Sequence, residues 1–164
     1  MGGNKVKLYI KQHIFTLGDK FSIYDSAGNE CYYVEGEIFT FGKKLHLYAP
    51  NGNELSYIEQ QLFSFLPRYS VQKNGHEIAE VVKEFTFFCN KYTVNGLNWE
   101  VNGDFLVHDY EITHNNATVA TVSKEWFTLG DAYEINISPG VDEITALSVV
   151  LIIDACIDAQ RRRH

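Results

Sequence analysis

A chain of 164 residues, of which 45% are hydrophobic and 21% charged, is long enough to bury one substantial core, and we expect a single domain over residues 1–164. Its 21 acidic and 14 basic side chains give a net charge of −7, which argues against a nucleic-acid-binding protein. Residues 1–13 lack the apolar region of a secretion signal, and no apolar run reaches the length of a membrane span, so we expect a cytoplasmic protein.

A short aromatic motif repeats along the chain. The sequence FTLGD occurs at residues 15–19 and 127–131, and related sequences occur as FTFGK at 39–43, FSFLP at 63–67 and FTFFC at 85–89. Turn-forming residues recur between these motifs, at residues 27–29, 51–53, 74–75, 95–96, 115–116 and 139–140. The last spacing, from 85 to 127, is nearly two periods, and the apolar residues 105–107 fall about midway through it. Repetition at a nearly constant period indicates a fold built from similar units, and six such units follow one another.

The spacing inside a unit predicts β-strands. Apolar residues recur two, six and eight positions after the leading Phe: Leu17, Phe21 and Ile23; Phe41, Leu45 and Leu47; Phe65, Tyr69 and Val71; Leu129, Tyr133 and Ile135. Even spacing places these side chains on one face of a strand. With two chain reversals in each unit, the pattern predicts about twelve antiparallel strands over roughly residues 5–137. In the fourth unit the apolar pair shifts to Tyr92 and Val94, which predicts a bulge or a longer turn there.

The C-terminal segment predicts one buried helix at about residues 141–160. Asp142 and Glu143 stand where they stabilise the positive end of the helix dipole, and Arg161 to Arg163 stand at the negative end. The residues between them leave no polar stripe, which is typical of a helix in a core or a membrane. The uncharged run 144–153 is about half the length that a bilayer span needs, and this favours the core.

Twelve strands and one apolar helix fit together as a barrel. The interior of an eight-stranded barrel is filled by its own side chains, and a barrel of sixteen strands leaves a channel. A barrel of about twelve strands therefore leaves room for one helix about 10–12 Å across. Closure also removes the exposed edges of the sheet. We therefore predict a mainly β fold, a twelve-stranded antiparallel meander closed around the helix. The alternative is an open two-sheet sandwich with the helix across one end.

The turn motifs FTLGD and FTFGKKL, the segment SKEWFTLGDAYEI at residues 123–135, and the closing apolar helix resemble the LURP-one-related family of the Tubby-like superfamily. The resemblance covers essentially the whole chain and implies a twelve-stranded barrel around a central C-terminal helix. Distant relatives include phosphoinositide-binding Tubby domains and phospholipid scramblases, but the resemblance assigns neither activity to named residues. The sequence shows no counterpart of a basic phosphoinositide pocket and no acidic loop with the spacing of calcium ligands.

Motifs that carry catalysis are absent from the sequence: it has no HExxH, no GxSxG and no glycine-rich nucleotide loop. The histidines His13, His46, His76, His108 and His114 are scattered. His108, Asp109 and His114 form the only close grouping of such side chains, and a solvated strand face explains them more simply than metal binding or acid–base catalysis. We therefore predict no catalytic, cofactor-binding or metal-binding residue, and no cofactor.

Other ionisable and reactive side chains have structural explanations. Cys31, Cys89 and Cys156 are odd in number and lack CxxC spacing, so reduced and packed thiols are expected. Asp154 and Asp158 lie one helical turn apart, and an enclosed Asp154 must find a hydrogen bond or a cation near one mouth of the barrel. Most aromatic residues are expected to pack against the helix.

The sequence leads to three functional hypotheses. The first is a non-enzymatic module that binds a membrane lipid head group, a membrane surface or a protein through its surface or a barrel mouth. The second is a carrier of a small apolar ligand, which competes with the helix for the interior of the barrel. The third is an enzyme of unknown reaction that uses His108, Asp109 and His114.

Overall fold

The computed structural model describes residues 3–11, 20–85, 90–125 and 132–163. These form twelve strands, one short 3₁₀ helix and one α-helix. The elements in chain order are β1 (Val6–Lys11), β2 (Lys20–Tyr24), β3 (Glu30–Gly36), β4 (Lys44–Tyr48), β5 (Glu54–Gln60), β6 (Arg68–Lys73), β7 (His76–Phe85), β8 (Asn90–Asn95), β9 (Trp99–Asp104), the 3₁₀ helix η1 (Phe105–Val107), β10 (Asp109–His114), β11 (Ala117–Glu125), β12 (Ala132–Ile137) and α1 (Glu143–Arg162).

The strands form a closed antiparallel barrel. Each strand pairs with the next in the chain, and β1 pairs with β12 from Val6 opposite Ile137 to Lys11 opposite Ala132. The predicted twelve-stranded meander around a C-terminal helix is confirmed, and the alternative of an open sandwich is wrong.

Side chains at alternate strand positions fill the barrel. At six and eight positions after the leading Phe of a motif, the predicted inward residues are buried, as Leu45 and Leu47 in β4 and Tyr69 and Val71 in β6 illustrate. Tyr92 and Val94 also point inward. The bulge or longer turn predicted in the fourth unit falls on the connection at residues 86–89, which lies outside the described residues, and the described pairs of β7 and β8 show no register shift.

The helix α1 occupies the barrel interior. Asp142 caps it by accepting a hydrogen bond from the Thr145 backbone N–H at 3.0 Å. Every residue from Thr145 to Asp158 is buried, on all faces of the helix, as expected for a helix that strands surround. The helix also makes polar contact with the barrel wall, where the hydroxyls of Ser148 and Ser56 lie 2.7 Å apart. No helix of the described residues is long and apolar enough to cross a membrane.

The two ends of the barrel differ. At one end, which we call the turn end, the even-numbered strands finish in tight turns, where Gly28, Gly52, Gly75 and Gly96 take the positive φ that such turns require. At the other, the loop end, the odd-numbered strands finish and the helix terminates. Arg161 in the last helical turn donates a hydrogen bond to the Leu106 carbonyl of η1 at 3.0 Å, which fixes the helix C-terminus at the loop end.

Candidate functional site

Two neighbouring loops at the loop end carry exposed phenylalanines. We call residues 37–43, between β3 and β4, loop A, and residues 61–67, between β5 and β6, loop B. Phe39 and Phe41 in loop A are 96% and 90% exposed, and Phe63 and Phe65 in loop B are fully exposed. The prediction that Phe41 and Phe65 share a strand face with the residues four and six positions later is therefore wrong, because each lies in the loop and not in the strand that follows it.

Two of these phenylalanines occupy an unfavourable backbone conformation. Phe39 has φ of 58° and Phe63 has φ of 63°, in the left-handed region that bulky residues avoid at a cost of about 1–2 kcal/mol. Because both side chains are exposed, packing of the two phenylalanine rings does not offset this cost. Backbone strain without a stabilising contact is a feature of functional sites.

Hydrogen bonds hold both loops in place. In loop A, Thr40 Oγ1 donates to the Gly42 carbonyl at 3.0 Å, and the Lys43 backbone N–H donates to Gln60 Oε1 at 3.0 Å. In loop B, the Ser64 hydroxyl lies 2.7 Å from the Leu66 carbonyl and 3.1 Å from the Gln61 carbonyl. The phenylalanines therefore project from ordered turns, which lowers the entropy that binding must overcome.

His46 on β4 anchors the base of loop A. Its Nε2 lies 2.7 Å from Glu37 Oε1 and its Nδ1 lies 2.6 Å from Glu54 Oε2. Burial alone lowers the pKa of His46, but the carboxylates on both ring nitrogens raise it above its ordinary value. Only the doubly protonated ring donates to both carboxylates at once, so the geometry calls for an imidazolium.

A groove of about 550 Å³ lies between loops A and B on the outer wall of the barrel. Phe39, Phe41 and Phe63 form its apolar sides. Lys44 and Glu59, paired across β4 and β5 with Nζ and Oε1 3.5 Å apart, form part of its polar floor. The loops also touch one another at the groove, since a Cβ on Gly42 would come within 2.9 Å of Leu62 Cδ2.

Further apolar residues extend this surface around the loop end. Phe85, at the last position of β7, is 64% exposed, and the Lys83 ammonium lies 5.7 Å from the centre of its ring. Leu106 and Val107 of η1 are about half exposed. Exposed apolar residues thus come from four separate places along the chain, and they share one end of the barrel.

Beneath η1 lies a buried polar cluster. His108, which follows η1 with φ of 53°, places Nε2 3.5 Å from Asp154 Oδ1, and its ring stacks on Tyr133 at 4.4 Å. Burial raises the pKa of Asp154, and His108 opposes that rise. The side-chain oxygens Asp154 Oδ1, Tyr110 Oη and Tyr133 Oη are buried without a hydrogen-bond partner. The cluster is closed to solvent and joins η1 to the helix.

The histidine grouping seen in the sequence does not form a site. His108 is buried at the loop end, whereas His114 lies at the other end of β10 and contacts the carbonyls of Leu97 and Asn98. Asp109 is exposed on the outer face. The enzyme hypothesis therefore loses the geometry it requires. Asp154 lies near one mouth of the barrel with His108 Nε2 3.5 Å from its Oδ1, and that oxygen makes no hydrogen bond.

The cysteines and the remaining candidates have ordinary surroundings. Cys31 is half-buried and Cys156 is buried, both as free thiols, and burial raises the pKa of Cys156 to about 11. Asp158 pairs with Arg162 at 3.1 Å. His13 and Cys89, together with the FTLGD motifs at 15–19 and 127–131, lie outside the described residues. No group of three or more His, Cys, Asp or Glu side chains in the described part of the chain is arranged to hold a metal ion.

Comparison with known proteins places this barrel in a family. The profile of the LURP-one-related family matches residues 6–154. This chain belongs to the LURP-one-related family. A relative from Bacillus subtilis (strain 168), named uncharacterized protein YxjI, is 35% identical over 149 residues, which cover 91% of this chain and 92% of that protein.

A solved structure shares the fold of this LURP-one-related protein. The X-ray structure of an Arabidopsis thaliana protein superposes with a TM-score of 0.69 at 19% identity, covering 94% of this chain and 93% of that one. Likeness at this identity concerns the barrel and its central helix. It leaves the role of the loop end to be argued from the side chains of this chain.

Proposed function

We propose that this protein is a non-enzymatic binding module whose loop end docks on the surface of a phospholipid bilayer. The observation that carries the proposal is the near-complete exposure of four phenylalanines on two ordered, adjacent loops. Exposed apolar surface concentrated in one place marks an interaction site, because isolated soluble domains keep such patches small.

The energetics support a membrane partner. Moving one phenylalanine side chain from water to an apolar environment contributes roughly 1.5–3 kcal/mol, so four of them contribute roughly 6–12 kcal/mol toward the cost of association, which ordered loops lower. Interfacial proteins commonly bury Phe, Trp and Leu to a depth of about 5–10 Å at the boundary between head groups and acyl chains. The fixed loops present their phenylalanines for such shallow insertion.

The distribution of apolar residues favours a broad, flat partner. Phe85 and the η1 residues Leu106 and Val107 lie at the same end as loops A and B. The turn end, by contrast, carries tight Asn- and Gly-containing turns. A planar surface that meets the barrel end-on contacts several of these positions together.

An interior ligand is a weaker alternative. The helix residues Leu147, Val150, Leu151 and Ile153 are fully buried in the barrel centre, so a ligand there must displace the helix. The enzyme hypothesis lacks an assembled set of groups, since His108 and His114 lie at opposite ends of β10.

Flotation with mixed phospholipid vesicles tests the proposal. We expect the protein to float with vesicles, and replacement of all four loop phenylalanines by Ser to abolish flotation without lowering the melting temperature. A matched control replaces Tyr33 and Tyr48, which stack on one another at 5.0 Å on the outer wall, and keeps flotation unchanged. Failure of the unaltered protein to float, or equal flotation of the four-Ser variant, refutes bilayer docking; capture of a soluble protein by the same loops would replace it.

A further inference from the structure

The groove between loops A and B combines two kinds of surface that one ligand class matches. Phe39, Phe41 and Phe63 give it aromatic walls, and Lys44 and Glu59 give its floor one positive and one negative group. A ligand that fits both must carry a cation and an anion a few bonds apart, next to an apolar part.

Lys44 and Glu59 can still bind such a ligand although they pair with one another. The Lys44 and Glu59 side chains are 28% and 34% exposed, and their charged atoms are 3.5 Å apart. That separation is longer than the roughly 2.7–2.9 Å of a strong charge-assisted hydrogen bond. An ammonium has three donors, of which Glu59 and the Tyr57 hydroxyl occupy two, and a carboxylate has about four acceptor sites, so each group keeps a position for a further partner.

We propose that this groove binds the zwitterionic head group of a phospholipid, with the phosphate at Lys44 and the ammonium at Glu59 and the phenylalanine rings. The assignment rests on the bilayer docking proposed above. Lysine binds phosphate as a point charge, and aromatic rings beside a carboxylate attract amine and quaternary ammonium groups through cation–π interactions. The acyl chains then leave the groove along the exposed phenylalanines towards the membrane.

The charge around the groove argues against an anionic head group. The protein carries a net charge of −7 and is repelled overall by anionic surfaces. Three basic side chains on the outer wall have acidic partners: Lys44 pairs with Glu59, Lys20 with Glu35 at 3.3 Å, and Arg68 with Glu80 at 3.0 Å. A head group with only negative charge is attracted by Lys44 but repelled by Glu59, whereas a zwitterion can place its cation at Glu59.

Soluble head groups provide the direct test. The full chain is titrated with glycerophosphocholine and glycerophosphoethanolamine, and binding is followed by calorimetry and by the NMR shifts of the groove amides. Glycerol phosphate, which lacks the ammonium, should bind at least tenfold more weakly. Glu59→Gln and Lys44→Met should each weaken zwitterionic binding at least tenfold, whereas Glu35→Gln, which alters a similar ion pair outside the groove, should leave it unchanged.

Vesicles separate this inference from bilayer docking itself. At high salt, where long-range repulsion is screened, vesicles of phosphatidylcholine and phosphatidylethanolamine should bind at least tenfold more tightly than phosphatidylglycerol vesicles. Equal binding to all vesicles, or preference for the anionic ones, overturns the head-group assignment and leaves docking intact. Binding of soluble head groups without any vesicle binding supports the groove and refutes docking. Absence of soluble head-group binding, or no effect of Glu59→Gln, overturns the groove assignment in either case.

Discussion

Replacing Phe39 and Phe63 by glycine should stabilise the fold and weaken membrane binding. Both residues hold positive φ angles, of 58° and 63°, at a cost of about 1–2 kcal/mol each for a side chain with Cβ. Glycine removes that cost but loses about 0.5–1 kcal/mol through its greater freedom in the unfolded chain. Because both rings are exposed, little apolar burial is lost. The double variant should therefore gain about 1 kcal/mol in the free energy of unfolding.

The measurement is thermal and urea unfolding together with vesicle flotation. For a chain of this length, 1 kcal/mol corresponds to a rise of roughly 2–4 °C in melting temperature. Flotation should weaken at least tenfold, since each lost ring removes roughly 1.5–3 kcal/mol of transfer free energy.

A matched pair of variants isolates the backbone effect. Phe41 and Phe65 are equally exposed but have no positive φ, so Phe41→Gly with Phe65→Gly should weaken flotation similarly while giving no gain in stability. The reasoning is refuted if glycine at positions 39 and 63 lowers the melting temperature. That result would mean that the phenylalanines support the loops and are not displayed at the expense of stability.

Four further predictions concern the scaffold. The pKa of His46 is raised in the folded protein, so its contribution to stability is complete below its unfolded pKa of about 6.5 and is lost as pH rises through the folded pKa. In His46→Asn the melting temperature should therefore depend less on pH across this range. His108→Ala leaves the buried Asp154 carboxylate unpaired and should cost about 3–5 kcal/mol in urea unfolding, most of which the double change of His108 and Asp154 to Leu should restore. Gly103→Ala should prevent native packing of η1, because a Cβ at φ of 145° would lie 2.5 Å from the Asp109 carbonyl, and circular dichroism melts should show a large loss of stability. Leu151→Ala removes a fully buried helix side chain from the barrel centre and should cost about 2–5 kcal/mol.

The sequence predicts the strands well where alternation is the controlling pattern. The residues predicted to share one strand face are buried, as are Leu45, Leu47, Tyr69 and Val71. In a strand with one face toward solvent, a shift of one residue would expose all the apolar side chains, so the alternation sets the register. The helix follows from its uninterrupted apolar run and its Asp142 cap. Closure of the barrel follows from the number of strands and the need to house that helix.

The surface proposed for docking does not follow from the same pattern. Even spacing includes Phe41 and Phe65 in the strands, but Gly42 and Pro67, one and two residues later, indicate that the chain is still turning there. A sequence identifies a side chain as apolar but does not say whether water or protein surrounds it. The sequence also does not predict that His108 lies beside Asp154, because that proximity depends on the rotation of the helix inside the barrel.

Closure between the first and last strands has a consequence for how the chain matures in the cell. β1 cannot pair with β12 until residues up to Ile137 have left the ribosome, and the helix that fills the interior is synthesised later still. Until then the strands emerge with their apolar faces uncovered and two open edges, a state prone to aggregation. Closure of the barrel and filling of its interior must therefore wait until β12 and the helix have been made, after all the other strands.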